Sequence, residues 1–496
     1  MRKSAEQGDA TAQFQLGVLN HTGEVLPQNY AEAIRLYKLS AAQGDARAQH
    51  NLALMYQKGQ GVARNDAEAL QWFRKAAEQE VVDSMMSIAE MYYFGDGVDQ
   101  NYAEALQWYQ KLAGAGNADA QFNIAGMYQQ GKGVEKNIDE ALTWYMKAAG
   151  QGSVNAMNNL GVIYYDGIEV PQNYAKAMKW FRDAAEHGSL PAMNNIGLMY
   201  LHGEGVKADN AQALQWFLKS AAKGDAFAQN NAGSMYSNGQ GVKQNYAEAL
   251  TWYRKAAEQG NAEAQQSLGS MYFYGQGVPQ NLTEAVKWFK LSAAQGFVSA
   301  QFSLGMLSEN GLGGMPKDAA EAVRWYRLAA EQGMAEAQNN LGMMYKNGQG
   351  VPQSYQEAGK WFRLAALQGY SNAQFNIGGL YFNGNGVPQD YAEAARWYTL
   401  AAKQGDVEAQ YLLGMLYNSG SGVPKDFVES AKWFKLSAEK GFASAQNILG
   451  VLYASGQGVP QSYQEAGKWF RLAAAQGDEG AQNNLRKLEF EMGAKK

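Results

Sequence analysis

The chain has 496 residues, no cysteine and a formal net charge of −5, from 42 Lys and Arg against 47 Asp and Glu. The lack of cysteine excludes disulfides, thiolate zinc sites and cysteine nucleophiles. No basic block is present that would attract nucleic acid or an acidic membrane surface. No apolar run approaches the roughly 18 residues of a membrane-spanning helix, and no signal peptide is visible. We therefore expect a folded protein without a nucleic-acid partner and without a transmembrane segment.

The first residues match the end of a later segment. The string "RKSAEQG" at 2–8 corresponds to "RKAAEQG" at 254–260, and Gly8 lies 36 residues before Gly44. We interpret residues 1–8 as the tail of a truncated repeat and the native N-terminus as missing. An export signal upstream is compatible with this interpretation, so a periplasmic or secreted location is favoured over a cytoplasmic one.

A repeat of about 36 residues follows, and tryptophan marks it. Successive tryptophans are 36 residues apart, except for 37 between Trp288 and Trp325. The first copy carries Leu36 instead, which gives thirteen copies over residues 9–477. Such internal repetition predicts stacked modules instead of independent globular domains. The marker residues of copies 1 to 13 are Leu36, Trp72, Trp108, Trp144, Trp180, Trp216, Trp252, Trp288, Trp325, Trp361, Trp397, Trp433 and Trp469.

Each copy predicts two helices, and copy 2 serves as the example. Its first helix lies within 45–58, where Ala48, Leu52, Met55 and Tyr56 recur at helical spacing and form one apolar stripe. Gly59 ends this helix, and "GQGV" predicts a turn in which glycine permits a positive φ.

The second helix of copy 2 is predicted to begin after Asn65, with Glu68 three residues later in a capping-box pattern. We expect this helix to bury its apolar side chains, and glycines such as Gly44 and Gly116 to end second helices. The side chains predicted to be buried are Ala69, Trp72, Phe73 and Ala76.

The repeated string "AQxxLGxxYxxGxGVxxxxxEAxxWYxKAAxQG" resembles the Sel1-like repeat family, a relative of the tetratricopeptide repeat. The resemblance implies an all-α solenoid of antiparallel helix pairs in a right-handed superhelix, with first helices lining the concave face. It also implies protein–protein interaction as the usual role, and a secreted or periplasmic place for some bacterial members. We expect one solenoid over 1–496, with a polar capping helix at 478–496.

Potential sites of chemistry have simpler interpretations. The four histidines show no metal-ligand spacing with carboxylates, so surface or packing roles are favoured. Two S-x-x-K strings, Ser220–Lys223 and Ser437–Lys440, have the spacing of some serine acyl-enzymes, but serine there substitutes for a repeated alanine. The G-x-G turns follow a helix, whereas phosphate loops follow a strand. Since no nucleophile, base and oxyanion site assemble, we predict no enzyme activity, no metal and no cofactor.

Function is expected where the copies differ. With Ala48 as offset zero, offsets 2, 6 and 9 of each first helix lie opposite the core stripe; these residues form the variable face. They include many aromatic residues and methionines and few charges, which is typical of protein interfaces. The alternative is that a tight superhelix buries this face against itself. The predicted binding residues are Phe14, His50, Tyr93, Phe122, Tyr165, Phe273, Phe302, Met306, Met343, Phe375, Phe382, Tyr411 and Met415.

Three further features vary between copies. Three residues after the tryptophan, early copies mostly have lysine and later copies leucine, from Leu291 to Leu472. This change indicates either tighter packing or a second contact surface, including a homodimer through the C-terminal half. Copy 9 has an extra residue in "NGLGGMPKD", and copy 5 has Glu169 in place of a turn glycine.

These observations predict a non-catalytic scaffold that binds a protein or peptide in its concave groove, in a secreted, envelope or host-interacting bacterial protein. In this hypothesis the aromatic residues act as anchors, and the asparagines bond the backbone of the partner. The alternative is binding of an envelope glycan such as peptidoglycan, with sugars stacked on the same aromatics. A cryptic serine hydrolase using Ser220 or Ser437 is the remote third hypothesis.

Overall fold

The computed structural model of the chain describes residues 1–494, and every regular element in that range is a helix. Contacts divide the chain into two compact units, Met1–Gln244 and Asn245–Lys496. Nearly all helices have 13 residues, and each packs against the helices before and after it in its unit. The all-helical solenoid predicted from the repeat is confirmed. The assignment of the whole chain to a single solenoid domain stays a prediction.

The helices of the first unit are α1 Arg2–Glu6, α2 Ala10–Thr22, α3 Tyr30–Ala42, α4 Ala46–Lys58, α5 Asp66–Glu78, α6 Val82–Phe94, α7 Tyr102–Gly114, α8 Ala118–Gln130, α9 Ile138–Gly150, α10 Val154–Asp166, α11 Tyr174–Glu186, α12 Leu190–His202, α13 Asn210–Ala221 and α14 Ala226–Asn238.

The helices of the second unit are α15 Tyr246–Glu258, α16 Ala262–Tyr274, α17 Leu282–Ala294, α18 Val298–Asn310, α19 Ala319–Glu331, α20 Ala335–Asn347, α21 Tyr355–Leu367, α22 Ser371–Asn383, α23 Tyr391–Lys403, α24 Val407–Ser419, α25 Phe427–Glu439, α26 Ala443–Ser455, α27 Tyr463–Ala475 and α28 Glu479–Ala494. Residues 495 and 496 of the predicted capping segment lie outside the described residues.

The first helices begin and end as the sequence predicts. In α4, Asp45 Oδ1 accepts a hydrogen bond from the backbone N–H of Ala48 at 3.1 Å, which satisfies a donor of the first turn. Gly59 follows the helix with φ 66°. Two residues on, Gly61 has φ 73°, and a Cβ atom there would lie 2.7 Å from the backbone of Tyr30 in the preceding copy. Glycine is required in this turn because the chain is both left-handed and close to its neighbour.

The second helices use only half of the predicted capping box. Asn65 Oδ1 accepts from the backbone N–H of Glu68 at 3.1 Å. The backbone N–H of Asn65 already donates to the carbonyl of Tyr56 at 2.9 Å. The carboxylate of Glu68 instead accepts a hydrogen bond from Trp72 Nε1 at 3.0 Å. The glutamate therefore binds the indole ring instead of capping the start of the helix.

The centre of each copy is the aromatic ring that follows the tryptophan. Phe73, Phe181 and Tyr326 are at most 1% exposed. This ring packs on the glycine of the "LG" pair in the first helix; a Cβ atom at Gly161 would lie 2.4 Å from the Phe181 ring. Copies 2 to 4 have Ala53, Ala89 and Ala125 at this place, all fully buried. The expected close approach of the two helices is thus a contact between a glycine and an aromatic ring.

The tryptophans are less buried than the sequence predicts. Trp72 and most others are half-buried, and only Trp397, Trp433 and Trp469 are buried. The indole lies at the margin of the second helix because the neighbouring Phe or Tyr takes the space in the core. The prediction that Trp72 is buried with Ala69, Phe73 and Ala76 is therefore wrong for the tryptophan.

Glutamines connect the helices in a way that the sequence analysis missed. Gln49 Nε2 donates to the carbonyl of Ala41 at 3.3 Å, and Gln79 Nε2 donates to Gln49 Oε1 at 2.9 Å. Equivalent bonds recur in copies of both units, for example from Gln404 to Gln374 at 2.8 Å. The repeated "AQ" at the start of each first helix was the signal, since a buried amide needs partners.

Candidate functional site

In the first unit, the offset-2 residues of the variable face rest on the buried ring of their own copy. The ring centroids of Phe14 and Tyr37 are 6.0 Å apart, and those of Phe122 and Tyr145 are 5.6 Å apart. Both phenylalanines are half-buried. The Phe14 ring is also covered by the guanidinium of Arg47, which lies 4.5 Å from its centroid, so only part of each ring is accessible within its unit.

His50 takes the same place in copy 2, with its ring centroid 5.6 Å from that of Phe73. Its Nδ1 is 2.8 Å from Ser84 Oγ in the next copy. Burial lowers the pKa of His50, and the carboxylate of Asp83 only partly opposes this effect. The imidazole is therefore a neutral packing group near pH 7, as the simpler interpretation of the histidines predicts.

The offset-9 tyrosines link neighbouring copies of the first unit. The hydroxyl of Tyr165 donates to Glu204 Oε2 at 2.7 Å, and burial together with this bond raises the pKa of Tyr165. Lys132 Nζ donates to the hydroxyl of Tyr93 at 3.1 Å. These phenol groups are bound within the protein. Their rings are packed as well, that of Tyr93 against Tyr102 at 5.2 Å and that of Tyr165 against Tyr174 at 5.6 Å, and both side chains remain half-buried.

The second unit repeats the arrangement at offsets 2 and 9. The Phe375 and Tyr398 centroids are 5.8 Å apart, and the Tyr411 ring lies 5.8 Å from Phe434 and 5.1 Å from Phe442. The remaining aromatic candidates are likewise half-buried. Their ring contacts are Phe302 with Tyr326 at 5.7 Å, Phe382 with Tyr391 at 5.3 Å and Phe273 with Tyr274 at 4.8 Å.

The candidates at offset 6 are methionines, and one of them is exposed. Met306 and Met343 are half-buried, whereas Met415 is 37% exposed. A methionine side chain is unbranched and adapts to differently shaped partners. These three residues therefore offer an apolar surface whose replacement would leave the ring contacts of the core intact.

Several asparagines of the variable face accept a hydrogen bond from an asparagine at offset 3 of the next copy. The side-chain amide of Asn231 donates to Asn194 at 2.9 Å, and Asn376 donates in the same way to Asn339 at 2.9 Å. These oxygens hold adjacent copies together, and the expectation that the asparagines bond the backbone of a partner stays a prediction. The Oδ1 atoms of Asn158 and Asn230 are buried and accept no hydrogen bond within residues 1–494.

The two serines of the hydrolase hypothesis have structural roles. Ser220 and Ser437 are fully buried, and their hydroxyls donate to the carbonyls of Leu190 at 3.1 Å and Val407 at 2.9 Å. Lys440 Nζ donates to a backbone carbonyl, that of Gly405, at 2.7 Å. Neither hydroxyl is placed to attack a substrate. Within residues 1–494 no group of three or more His, Asp or Glu side chains is arranged to hold a metal ion.

The second helices present two kinds of surface beside the tryptophan. A lysine stands three residues after the tryptophan in copies 2, 3, 4, 6 and 7, which we name the lysine copies. In copy 2, for example, Lys75 Nζ lies 4.0 Å from the centroid of the Trp72 ring. Copies 8 to 13, the leucine copies, carry leucine there and a lysine or arginine just before the tryptophan, such as Lys360. The six leucines form the leucine row, each between 38% and 47% exposed: Leu291, Leu328, Leu364, Leu400, Leu436 and Leu472.

The altered turn of copy 5 reaches back to copy 4. Glu169 Oε1 pairs with Lys136 Nζ at 2.7 Å, and Glu169 Oε2 accepts from Gln129 Nε2 at 2.9 Å. These bonds lower the pKa of Glu169. The glutamate that replaces the turn glycine thus forms an additional link between two copies.

No helix within residues 1–494 combines the length and hydrophobicity of a membrane span.

This architecture defines an α-solenoid of helix pairs related to tetratricopeptide repeats. The family model of the Sel1 repeat matches thirteen consecutive segments that together cover residues 10–478. The chain therefore belongs to the Sel1 repeat family. Solenoids of this family commonly act as protein-interaction scaffolds and are typically not catalytic.

Two solved structures of similar proteins come from bacteria. The crystal structure of c5321, a protective antigen of uropathogenic Escherichia coli with the same repeat fold, is 33% identical and covers 92% of this chain and 97% of its own, with a TM-score of 0.64. A Sel1 repeat protein from Oxalobacter formigenes is 36% identical over 63% of this chain and 90% of its own, with a TM-score of 0.48. No curated protein matches the chain.

Proposed function

We propose that the chain is a non-catalytic scaffold that binds a protein or peptide through the variable face of its first helices. The observation that carries the proposal is the half-buried state of the apolar side chains on this face. Each aromatic ring has one side on the core, so its orientation is fixed before a partner binds. Such preorganised aromatic anchors contribute much of the affinity of an interface because little conformational entropy is lost.

A triple substitution of methionines tests this proposal. We expect lysine at Met306, Met343 and Met415 to abolish binding, since a partner would then have to desolvate three charges. Lysine and methionine have similar helix propensities, so the fold should be retained. Peptides selected from a phage-displayed random library on the unchanged protein, measured by fluorescence anisotropy, would supply the probe.

The matched control places the same three charges on the second helices, at Leu328, Leu364 and Leu436. Binding that survives the leucine substitutions but not the methionine substitutions supports the variable face. Equal affinity of the methionine variant and the unchanged protein would contradict it. A glycan array run in parallel addresses the alternative, because retention of an envelope glycan without any selected peptide would favour the sugar-binding hypothesis.

We further propose that the leucine row forms a homodimer contact in the second unit. The six leucines stand at the same position on the second helices of successive copies. They form an exposed apolar stripe of the kind that marks interaction surfaces. Sedimentation velocity of the leucine variant described above provides the test. We expect a dimer for the unchanged protein and a monomer for the variant; a monomer in both cases would exclude this contact.

The location of the protein is also a proposal. The similar E. coli structure is that of a protective antigen, and this supports a secreted or envelope place for the present chain. Fractionation of cells that express the complete native gene should recover the protein outside the cytoplasm. Recovery in the cytoplasmic fraction alone would contradict this expectation.

A further inference from the structure

Tyrosine occupies offset 8 of the first helix in eleven of the thirteen copies, and copy 9 has Ser308 there instead. In five places the hydroxyl of this tyrosine accepts a hydrogen bond from an arginine eighteen residues earlier, on the second helix of the preceding copy. The pairs are Arg74 with Tyr92 at 2.6 Å, Arg182 with Tyr200 at 3.1 Å, Arg254 with Tyr272 at 2.9 Å, Arg327 with Tyr345 at 2.7 Å and Arg363 with Tyr381 at 2.7 Å.

Serine is much smaller than tyrosine, and a cavity of about 770 Å³ lies at this place in copy 9. Ser308 lines it, is fully buried, and its hydroxyl has no hydrogen-bond partner within residues 1–494. Lys290 also lines the cavity and stands eighteen residues before Ser308, in the place of the arginines. Val286 and Leu291 supply apolar walls.

The extra residue of copy 9 belongs to the same cavity. Gly313, Gly314 and Met315 of that loop line it, and Met315 stands where other copies have the valine of "GxGV". Met315 is half-buried and packs against the core of copies 8 and 9. An unbranched methionine changes its conformation at low cost, so it can move aside for a ring that reaches Ser308.

Within residues 1–494, the charged side chains that line the cavity are Lys287, Lys290, Asp318 and Glu321. Lys287 pairs with Glu284 at 3.6 Å, and Glu321 accepts a hydrogen bond from Trp325 Nε1 at 2.9 Å. Lys290 forms no ion pair among the described residues. Copy 1 has Lys38 at the equivalent place, and its Nζ lies 5.4 Å from the Tyr56 ring. A lysine at this register can therefore reach the aromatic ring of the next copy, as Lys38 does.

We propose that copy 9 binds a 4-hydroxyphenyl group that carries a carboxylate, with its ring in the space that tyrosine fills elsewhere. Ser308 is the deepest polar group that a ring entering from the solvent can reach, so the hydroxyl at the leading end of the ring donates to Ser308 Oγ. The carboxylate at the opposite end then lies near Lys290. Two sources share this chemistry, a free phenolic acid and a tyrosine at the C-terminus of a peptide. The site is separate from the variable face and does not depend on the function proposed above.

Calorimetric titration with 4-hydroxyphenylacetate, phenylacetate and the tripeptide Ala-Ala-Tyr tests the site. We expect Ser308→Ala to weaken 4-hydroxyphenylacetate about fivefold and to leave phenylacetate unchanged, because one hydrogen bond is lost. Ser308→Tyr should weaken all three ligands at least tenfold by refilling the cavity. Lys290→Gln should weaken all three about fivefold, whereas the control Lys435→Gln, which precedes Tyr453 in copy 13 at the same register, should change nothing.

The proposal fails if the unchanged protein gives no saturable binding, or if Ser308→Ala weakens both acids equally. If circular dichroism shows that Ser308→Tyr prevents folding, the affinities of Ser308→Ala and Lys290→Gln still test the site, because both substitutions keep the cavity. Comparable affinity for Ala-Ala-Tyr and 4-hydroxyphenylacetate indicates a C-terminal tyrosine as the source. Binding of the free acid alone indicates a small phenolic acid.

Discussion

The lysine copies and the leucine copies use one cation beside the tryptophan in two different ways. In the lysine copies the cation follows the ring by three residues and lies over it, at 4.0 Å for Lys147 and Trp144. In the leucine copies it precedes the ring and pairs with the first-turn glutamate, at 3.0 Å for Lys432 and Glu429. It then lies farther from the ring, at 5.6 Å for Lys432 and Trp433. The same charge is kept, but only the second arrangement leaves a leucine exposed. A change of register on one helix thus converts a solvated surface into an apolar one.

The largest difference between the two groups should appear when the indole is removed. Trp397, in a leucine copy, is 3% exposed, whereas Trp72 is half-buried. We expect Trp397→Ala to lower the free energy of unfolding by about 3–5 kcal/mol, and Trp72→Ala by about half of that, because less buried volume is lost. Urea denaturation combined with hydrogen exchange would measure this, since repeat proteins can unfold in parts. Equal losses would show that exposure of the indole does not decide its contribution.

The repeat allowed the fold to be predicted from the sequence, but it did not show which aromatic ring lies in the core of each copy. Tryptophan marks the register because its position recurs, yet Phe73 and its equivalents occupy the core. Periodicity predicts which face of a helix is buried, but it does not predict how deeply each residue of that face is buried. The core stripe was predicted from the periodicity, and its members such as Leu52 and Met55 are buried, whereas the role of the variable face stays a prediction. The bonds from Asn231 to Asn194 and from Tyr165 to Glu204 were not predicted. Such bonds join residues about 40 positions apart whose side chains only meet when the copies stack.

Adjacent glycines in one helix sharpen the comparison at the core. A Cβ atom at Gly378 would lie 2.8 Å from the Tyr398 ring, whereas one at Gly379 would meet only the Tyr398 hydroxyl at 3.8 Å. We expect Gly378→Ala to destabilise the protein by about 1–2 kcal/mol through overpacking. Gly379→Ala should stabilise it by about 0.5–1 kcal/mol through helix propensity.

Thermal and urea midpoints of the two glycine variants provide the measurement. Copies 2 to 4 have alanine at the place of Gly378, and their buried rings accommodate it. If Gly378→Ala proved stabilising, the leucine copies would accommodate an alanine against the buried ring just as copies 2 to 4 do. The glycine would then be no requirement of their packing.

The smallest effect concerns the cation itself. Lys75→Leu removes the charge that lies 4.0 Å from the Trp72 ring, and we expect a loss of about 0.5–1 kcal/mol. Lys360→Gln removes an exposed pair with Glu357 and should cost at most about 0.5 kcal/mol. High salt should diminish the second loss more than the first, since the exposed pair is screened and the contact with the half-buried ring is screened less. Double-mutant cycles with Trp72→Phe and Glu357→Gln would isolate the two interactions. A larger coupling for Lys360 than for Lys75 would reverse the interpretation, because the ion pair would then be the reason for the change of register and the exposed leucine only its consequence.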